Sequence, residues 1–283
     1  MRRWLYPLIR RVIPRQVRQC VLKPIATTRP LLWKLQYRLT GPVTLEVRPG
    51  WNVRFHPETG EAFRVHHSNP IFRDELNEFI ASCTPGMTLI DVGAHYGVFT
   101  LAALRFGGPD AHVIAVDPSP GAQALLRINL DLNGVSSRVT RLETALGASS
   151  QSIRVLPAGS GGQHQMVRAH EHRADATEIT TRTLDDVATE SGRRITHLKI
   201  DVEGFEQQVL EGATQVLSEH RPLLTLELHP ALLAHLGASG QDVLDLVRHF
   251  GYGGTCLDSN GAQIPMADAA TGYVNRLALR PLH

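Results

Sequence analysis

Cysteine is scarce: the 283 residues contain three, Cys20, Cys83 and Cys256, odd in number and far apart. Neither a disulfide framework nor a cysteine-rich zinc site is built from such a set, and a reducing compartment is the simplest reading. No run of 18 or more apolar residues occurs, so a membrane-spanning helix is not expected. Arg10 and Arg11 cut short the apolar run at 4–9, so a secretory signal is not expected either. Glycine (24) and proline (17) are too few for a fibrous chain, while an apolar share of 42% excludes wholesale disorder and supports a sizeable core.

Acidic residues are absent from positions 1–45, which hold ten of the 29 Lys/Arg. The remainder therefore has 19 basic against 27 acidic side chains, a net of −8. A basic head on an acidic body concerns partners rather than fold. Leu5, Leu8, Ile9, Val12 and Ile13 form one helical stripe, with Arg2, Arg3, Arg10 and Arg11 flanking or opposing it. Either the stripe packs on the body, or it lies on an anionic membrane surface with its apolar side down. A cytoplasmic protein with peripheral contact at the inner membrane surface through residues 1–40 is the corresponding expectation; nucleic acid is not an expected partner.

Residues 43–55 alternate around Arg48-Pro49-Gly50 and predict a hairpin, and Phe63–Val65 predict a further short strand. Asn69 and Pro70 mark the start of a helix over 70–81. From residue 85 the rhythm becomes strand, turn, helix, strand. Strands are predicted at 87–92, 112–116, 138–142, 195–200 and 223–228, and helices at 98–106 and 122–133, the latter stopped by Gly134. This predicts an α/β fold, a mostly parallel sheet with helices on both faces. The division expected is 1–40 as a basic segment, 41–84 as strands and helix packing on the core, and 85–283 as the main domain. Residues 147–183 break the rhythm with Gly159-Ser160-Gly161-Gly162 and His164, His170 and His172. A partly exposed loop near the substrate is expected there rather than a metal site, because no carboxylate spacing of a ligand set accompanies the histidines.

Ligands of open parallel sheets bind beyond the carboxyl ends of the strands. Asp91 ends the first core strand, and Gly93 and Gly97 allow the following turn to approach a ligand closely. Their spacing, G-x-x-x-G, is not the G-x-G-x-x-G of nicotinamide and flavin sites, which disfavours a dehydrogenase. Asp91 would repel a pyrophosphate but suits an ammonium. Asp117 ends the second strand, 20 residues after Gly97, where a carboxylate can accept hydrogen bonds from ribose hydroxyls. Together these residues predict a nucleoside carrying a cationic amino-acid tail, S-adenosyl-L-methionine. Glu143, after the third strand, is a candidate for the adenine amino group.

A second constellation follows: Thr183-Leu184-Asp185-Asp186, then Leu198-Lys199-Ile200-Asp201-Val202-Glu203-Gly204-Phe205-Glu206, then Val209-Leu210-Glu211-Gly212-Ala213. With Asp91-Val92-Gly93-Ala94, this resembles the FkbM family of S-adenosylmethionine-dependent methyltransferases over about residues 85–230. The resemblance implies a seven-stranded class I methyltransferase sheet with an antiparallel last strand. It also implies methyl transfer, most often to a hydroxyl of a sugar, glycan or glycolipid, or secondary metabolite. His95 stands where the family has Asn, so its role at the cofactor or the acceptor is open. An alcohol must lose its proton as the new bond forms, and Asp201, Glu203 and His229 are the candidate bases. Glu227 and His229 share one strand face, and Lys199 is expected to pair with the acids rather than catalyse. No metal is expected. N-methylation and a non-catalytic, cofactor-binding scaffold at a membrane remain as alternatives.

Overall fold

The computed structural model describes residues 41–155, 177–272 and 274–282. The basic head, the glycine cluster at 159–162 and the three histidines of 164–172 lie outside the described residues. No helix among the described residues is long and apolar enough to cross a membrane.

β1 (Val43–Arg48) and β2 (Trp51–Phe55) pair antiparallel as the expected hairpin. The predicted strand at 63–65 is instead part of α1 (Pro57–His67). Three residues of alternation do not define a period, whereas Thr59, Gly60 and Phe63 share a buried helical face and Val65 points to solvent. His56 caps this helix, its Nδ1 accepting from the Glu58 amide at 3.3 Å. α2 (Pro70–Ser82) starts where expected, with Asn69 Oδ1 accepting from the Ile71 amide at 3.1 Å.

β3 (Thr88–Val92), α3 (Val98–Phe106), β4 (His112–Val116), α4 (Pro120–Leu132) and β5 (Val139–Leu142) follow in turn. The short β6 (Ala145–Leu146) and the antiparallel pair β7 (Ser152–Val155) and β8 (Thr177–Arg182) form a separate three-stranded sheet. The chain then returns through α5 (Leu184–Ser191), β9 (His197–Ile200), α6 (Glu206–Glu211), β10 (Leu223–Leu228), α7 (Pro230–Leu236) and α8 (Gly240–His249). β11 (Tyr252–Leu257), β12 (Gln263–Ile264) and β13 (Asn275–Pro281) complete it. Thr183 caps α5, and the Asp185 carboxylate accepts from the amides of Gln215 and Val216, so this stretch of the second constellation serves the scaffold.

The main sheet runs β12-β11-β13-β10-β9-β3-β4-β5. It has eight strands rather than seven because the two-residue β12 pairs at its edge. β10, β9, β3, β4 and β5 are parallel, and the last strand, β13, inserts antiparallel against β10. All five residues of β3 are buried, as a strand covered on both faces requires. One face packs Ile90, Ile114, Leu198 and Leu226 against α5 and α8; the other packs Leu89, Val113 and Ala115 against α3 and α4. The hairpin and α1–α2 join the second cluster through Phe55, Phe63, Leu76 and Phe79. Asn129 in α4 ties them further, accepting from the His56 amide at 2.9 Å and donating to the Tyr96 carbonyl at 2.9 Å.

Successive strands run outward from β3 through β4 to β5, then from β9 on the other side to β10. The strand order thus reverses between β3 and β9, and a crevice opens there beyond their carboxyl ends.

Candidate active site

A cavity occupies this crevice. Its wall contains Asp91, Gly93, His95, Gly97, Asp117, Asp201 and Glu203, seven of the nine residues singled out above. Glu143 is exposed and outside that wall; Thr144, Ala145 and Leu146 form this part instead. His229 is buried behind Asp201 and does not line the cavity.

The glycine turn has little freedom. Gly93 has φ of +81°, and a Cβ built on it would lie 1.9 Å from the Asp201 carbonyl oxygen. The exits of β3 and β9 therefore touch backbone to backbone, which only glycine permits. Gly97, with φ of +89°, would push a Cβ to 2.3 Å from Leu126 Cδ1. His95 has φ of +49°, a left-handed conformation in which Asn, Asp and His are enriched. Histidine thus meets the same backbone demand as the asparagine of the family pattern. Its amide donates to Asp117 Oδ2 at 2.9 Å, and the Ser119 amide donates to Oδ1 at 2.8 Å. These two bonds fix the orientation of the carboxylate in the cavity wall.

Asp91 is fully enclosed at the end of β3, with Thr100 Oγ1 donating to its Oδ2 at 2.6 Å. Burial raises its pKa, against the opposing pull of Lys199 and the Thr100 hydrogen bond. Lys199 lies two residues before Asp201 on the same strand face; its Nζ is 3.4 Å from Asp201 Oδ2 and 4.4 Å from the Phe99 ring centroid. Burial disfavours its charge, but Asp201, Glu75, Asp91 and Glu227 outweigh this and hold the ammonium protonated. The expected pairing of Lys199 with acids is realised.

Beneath Asp201 lie Glu227 and His229. Arg276 joins Glu227 Oε1 at 2.7 Å to Glu75 Oε2 at 2.9 Å. Burial pushes Glu227 well above the usual carboxyl range, reinforced by Asp201 and Glu75, so it retains a proton that it shares with Asp201. Burial also opposes ionisation of Asp201, but Lys199, His229 and the Glu227 hydrogen bond prevail and keep its carboxyl below the usual range. His229 Nδ1 lies 2.7 Å from Glu206 Oε1, which also accepts from the Gly204 amide at 3.0 Å. Burial lowers the His229 pKa, yet Glu206, Asp201 and Glu227 raise it overall to about 9. At neutral pH His229 is an imidazolium, a charge partner of Asp201 rather than the base expected from its sequence position.

The donor atoms of Asp201, Glu227 and His229 fall within 4.8 Å of one another, a spacing that could hold a metal. Two cations stand beside these donors, Lys199 Nζ at 3.4 Å from Asp201 and Arg276 at 2.7 Å from Glu227. Among the described residues, four carboxylates (Asp91, Asp117, Asp201 and Glu203) face the cavity against one ammonium, Lys199. The field therefore favours a cation and disfavours a diphosphate. Glycine cradle, buried Asp91 and aimed Asp117 all fit S-adenosylmethionine.

Several wall residues carry no local signal in the sequence. His66 and Phe72 come from α1 and α2, and Tyr96, Phe99 and Phe205 from the turns and helix around the crevice. Only the helical period of 57–67 could have brought His66 to attention, and three-residue alternation obscured it.

The reversal in strand order, the acid closing β3, its glycine turn and the second acid beside it on β4 define a class I methyltransferase fold. The chain matches the methyltransferase FkbM domain over residues 91–253 and belongs to that family. It is 28% identical to the methyltransferase sdnD of Sordaria araneosa over 51% of this chain and 67% of that protein. It is also 28% identical to a ribosomal protein L11 methyltransferase of Citrifermentans bemidjiense, over 53% of this chain but 44% of the relative. The crystal structure of an FkbM methyltransferase from Methylobacillus flagellatus is similar with a TM-score of 0.41 and 20% identity, covering 76% of this chain and 52% of that one. The chain thus spans about half the length of two of these three relatives.

Proposed function

We propose that this protein transfers a methyl group from S-adenosylmethionine to a hydroxyl oxygen of a small molecule or glycan. The observation that carries this reading is the pair Asp91 and Asp117, closing adjacent parallel strands in one cavity wall that also holds Asp201. Asp91 suits the ammonium of the cofactor's amino-acid tail, and Asp117 its ribose hydroxyls. When bound, the cofactor supplies an electrophilic methyl: the acceptor oxygen forms the new O–C bond, the C–S electron pair returns to sulfur, and the acceptor proton is left for the protein. Most of the acceleration then comes from orientation, to which the touching exits of β3 and β9 contribute rigidity. Asp201 and Glu203 line the same cavity, where their charge suits a cationic centre.

Calorimetric titration of S-adenosylmethionine tests the reading. Asp117→Ala removes a charged acceptor and the tether of the His95 amide, so affinity is expected to fall by about 1.5–3 kcal/mol, roughly ten- to a hundredfold. Asp117→Asn, which keeps one acceptor oxygen, should fall between. Folded wild-type protein that binds no S-adenosylmethionine would overturn the proposal.

A further inference from the structure

One side of the cavity comes from before the family-matched region. α1 and α2 lie at 57–82, ahead of residue 91, yet they place His66 and Phe72 in the wall. The joint between them is pinned by Arg73, whose Nη1 donates to the carbonyls of His67 at 2.9 Å and Ser68 at 3.3 Å. Ring centroids of His66 lie 5.9 Å from Phe72 and 6.2 Å from Tyr96, and Phe72 lies 6.1 Å from Phe99. His66 Nδ1 is 2.9 Å from the Tyr96 hydroxyl oxygen.

Three groups of the buried network are committed to one another. Asp201 is held ionised by Lys199 and His229, Glu227 retains a proton, and His229 is protonated. His66 differs: burial lowers its pKa, and the charge of Asp201 only partly restores it, leaving a neutral imidazole at pH 7. The charged and titratable groups around it are Tyr96 and His95 on the glycine turn, Asp201 and Glu203 on the exit of β9, Lys199 in β9, and His67 and Arg73 at the helix joint. The residue is exposed at the cavity mouth, where a proton can leave to water.

Resting on the methyl-transfer reading, we propose that His66 is a catalytic residue whose Nε2 takes the proton of an acceptor hydroxyl carried on an aromatic ring. The ring lies against Phe72, Tyr96 and Phe99. Flat apolar walls suit such a ring, whereas the extra hydroxyls of a polyol would meet only His66 and Tyr96 on that side, already bonded to each other. The role requires the tautomer in which Nδ1–H donates to the Tyr96 oxygen, which leaves the Nε2 lone pair as the acceptor. The acceptor O–H bond breaks, its electron pair stays on oxygen, Nε2 gains the proton, and the imidazolium returns it to solvent.

The test uses the full chain, S-adenosylhomocysteine and 4-nitrophenol, whose phenolate absorbs in the visible. Calorimetry first measures S-adenosylhomocysteine binding; if folded wild type binds none, the methyl-transfer reading itself fails and this proposal falls with it. With that ligand saturating, 4-nitrophenol is expected to bind wild type with roughly fivefold more phenolate, between about pH 6 and 7, than it shows on His66→Gln. S-adenosylhomocysteine affinity should be equal in the two proteins. Failure of 4-nitrophenol to bind, equal phenolate absorbance in His66→Gln, or loss of S-adenosylhomocysteine affinity in that variant would each overturn the role of His66 while leaving the cofactor site standing.

Discussion

Lys199→Met is expected to destabilise the fold by about 3 kcal/mol at pH 7, the low end of the range for removing one member of a buried ion pair. The ammonium is enclosed and is the cation that acts most strongly on both Asp91 and Asp201. Methionine keeps most of the apolar stem and removes the ammonium, with its cation–π contact to Phe99, so the loss reports charge rather than volume. The low end applies because Asp201 is partly open to the cavity, where water relieves some of the penalty. For a domain of this size the melting temperature should drop by about 6–12 °C. Its pH dependence identifies the cause. Without Lys199 the carboxylates lose their compensation and their pKa values rise, so the deficit should be largest near pH 7–8 and shrink towards pH 5 as they protonate. A deficit that stays constant with pH would mean that side-chain packing, not pairing with the carboxylates, is what Lys199 contributes.

The second large effect belongs to His229. Its pKa is raised from the ordinary 6.5 to about 9 in the fold. Below about pH 6.5 the folded and unfolded chains both hold this proton, and its full contribution to stability is present. Between 6.5 and about 9 the unfolded chain releases the proton while the folded chain keeps it, so stability drains away and is gone above 9. The total is on the order of 3 kcal/mol. Urea unfolding across this window should show the decline in wild type and a much flatter curve in His229→Gln. Parallel curves for the two proteins would place the proton elsewhere. The decline would separate His229 from the base that an alcohol acceptor requires, and parallel curves would return it to the candidates.

Both predictions turn on one network with two faces. Towards the cavity, Asp91 and Asp201 offer negative charge to a cationic ligand. Behind them, Lys199, Arg276 and His229 make that charge tolerable in a buried place. Removing a rear cation is therefore expected to disturb the fold before it disturbs chemistry, and an Asp117 substitution to do the reverse.

Much of this was legible locally. Asp91, Gly93, Gly97 and Asp117 announce themselves because each ends or turns an element whose period is visible within a dozen residues, and strand ends of a parallel sheet share one edge. The helix start at Asn69-Pro70 is equally local, since a cap acts on an amide two or three positions away. Glu143 shows the limit: the residue beyond a strand is known, but whether it turns inward depends on the loop, and here Thr144–Leu146 turn in instead.

The amino-acid sequence by itself determined the α/β class, the register of glycines and acids around the β3 turn, and the family to which the chain belongs. Only the tertiary structure decided which charges meet. Arg276 bonds Glu75 across 201 residues, and His66 reaches Tyr96 across 30. Such pairs follow no helical or strand period, because they form when separate elements dock, and the low dielectric of the interior then sets which of them keep their protons.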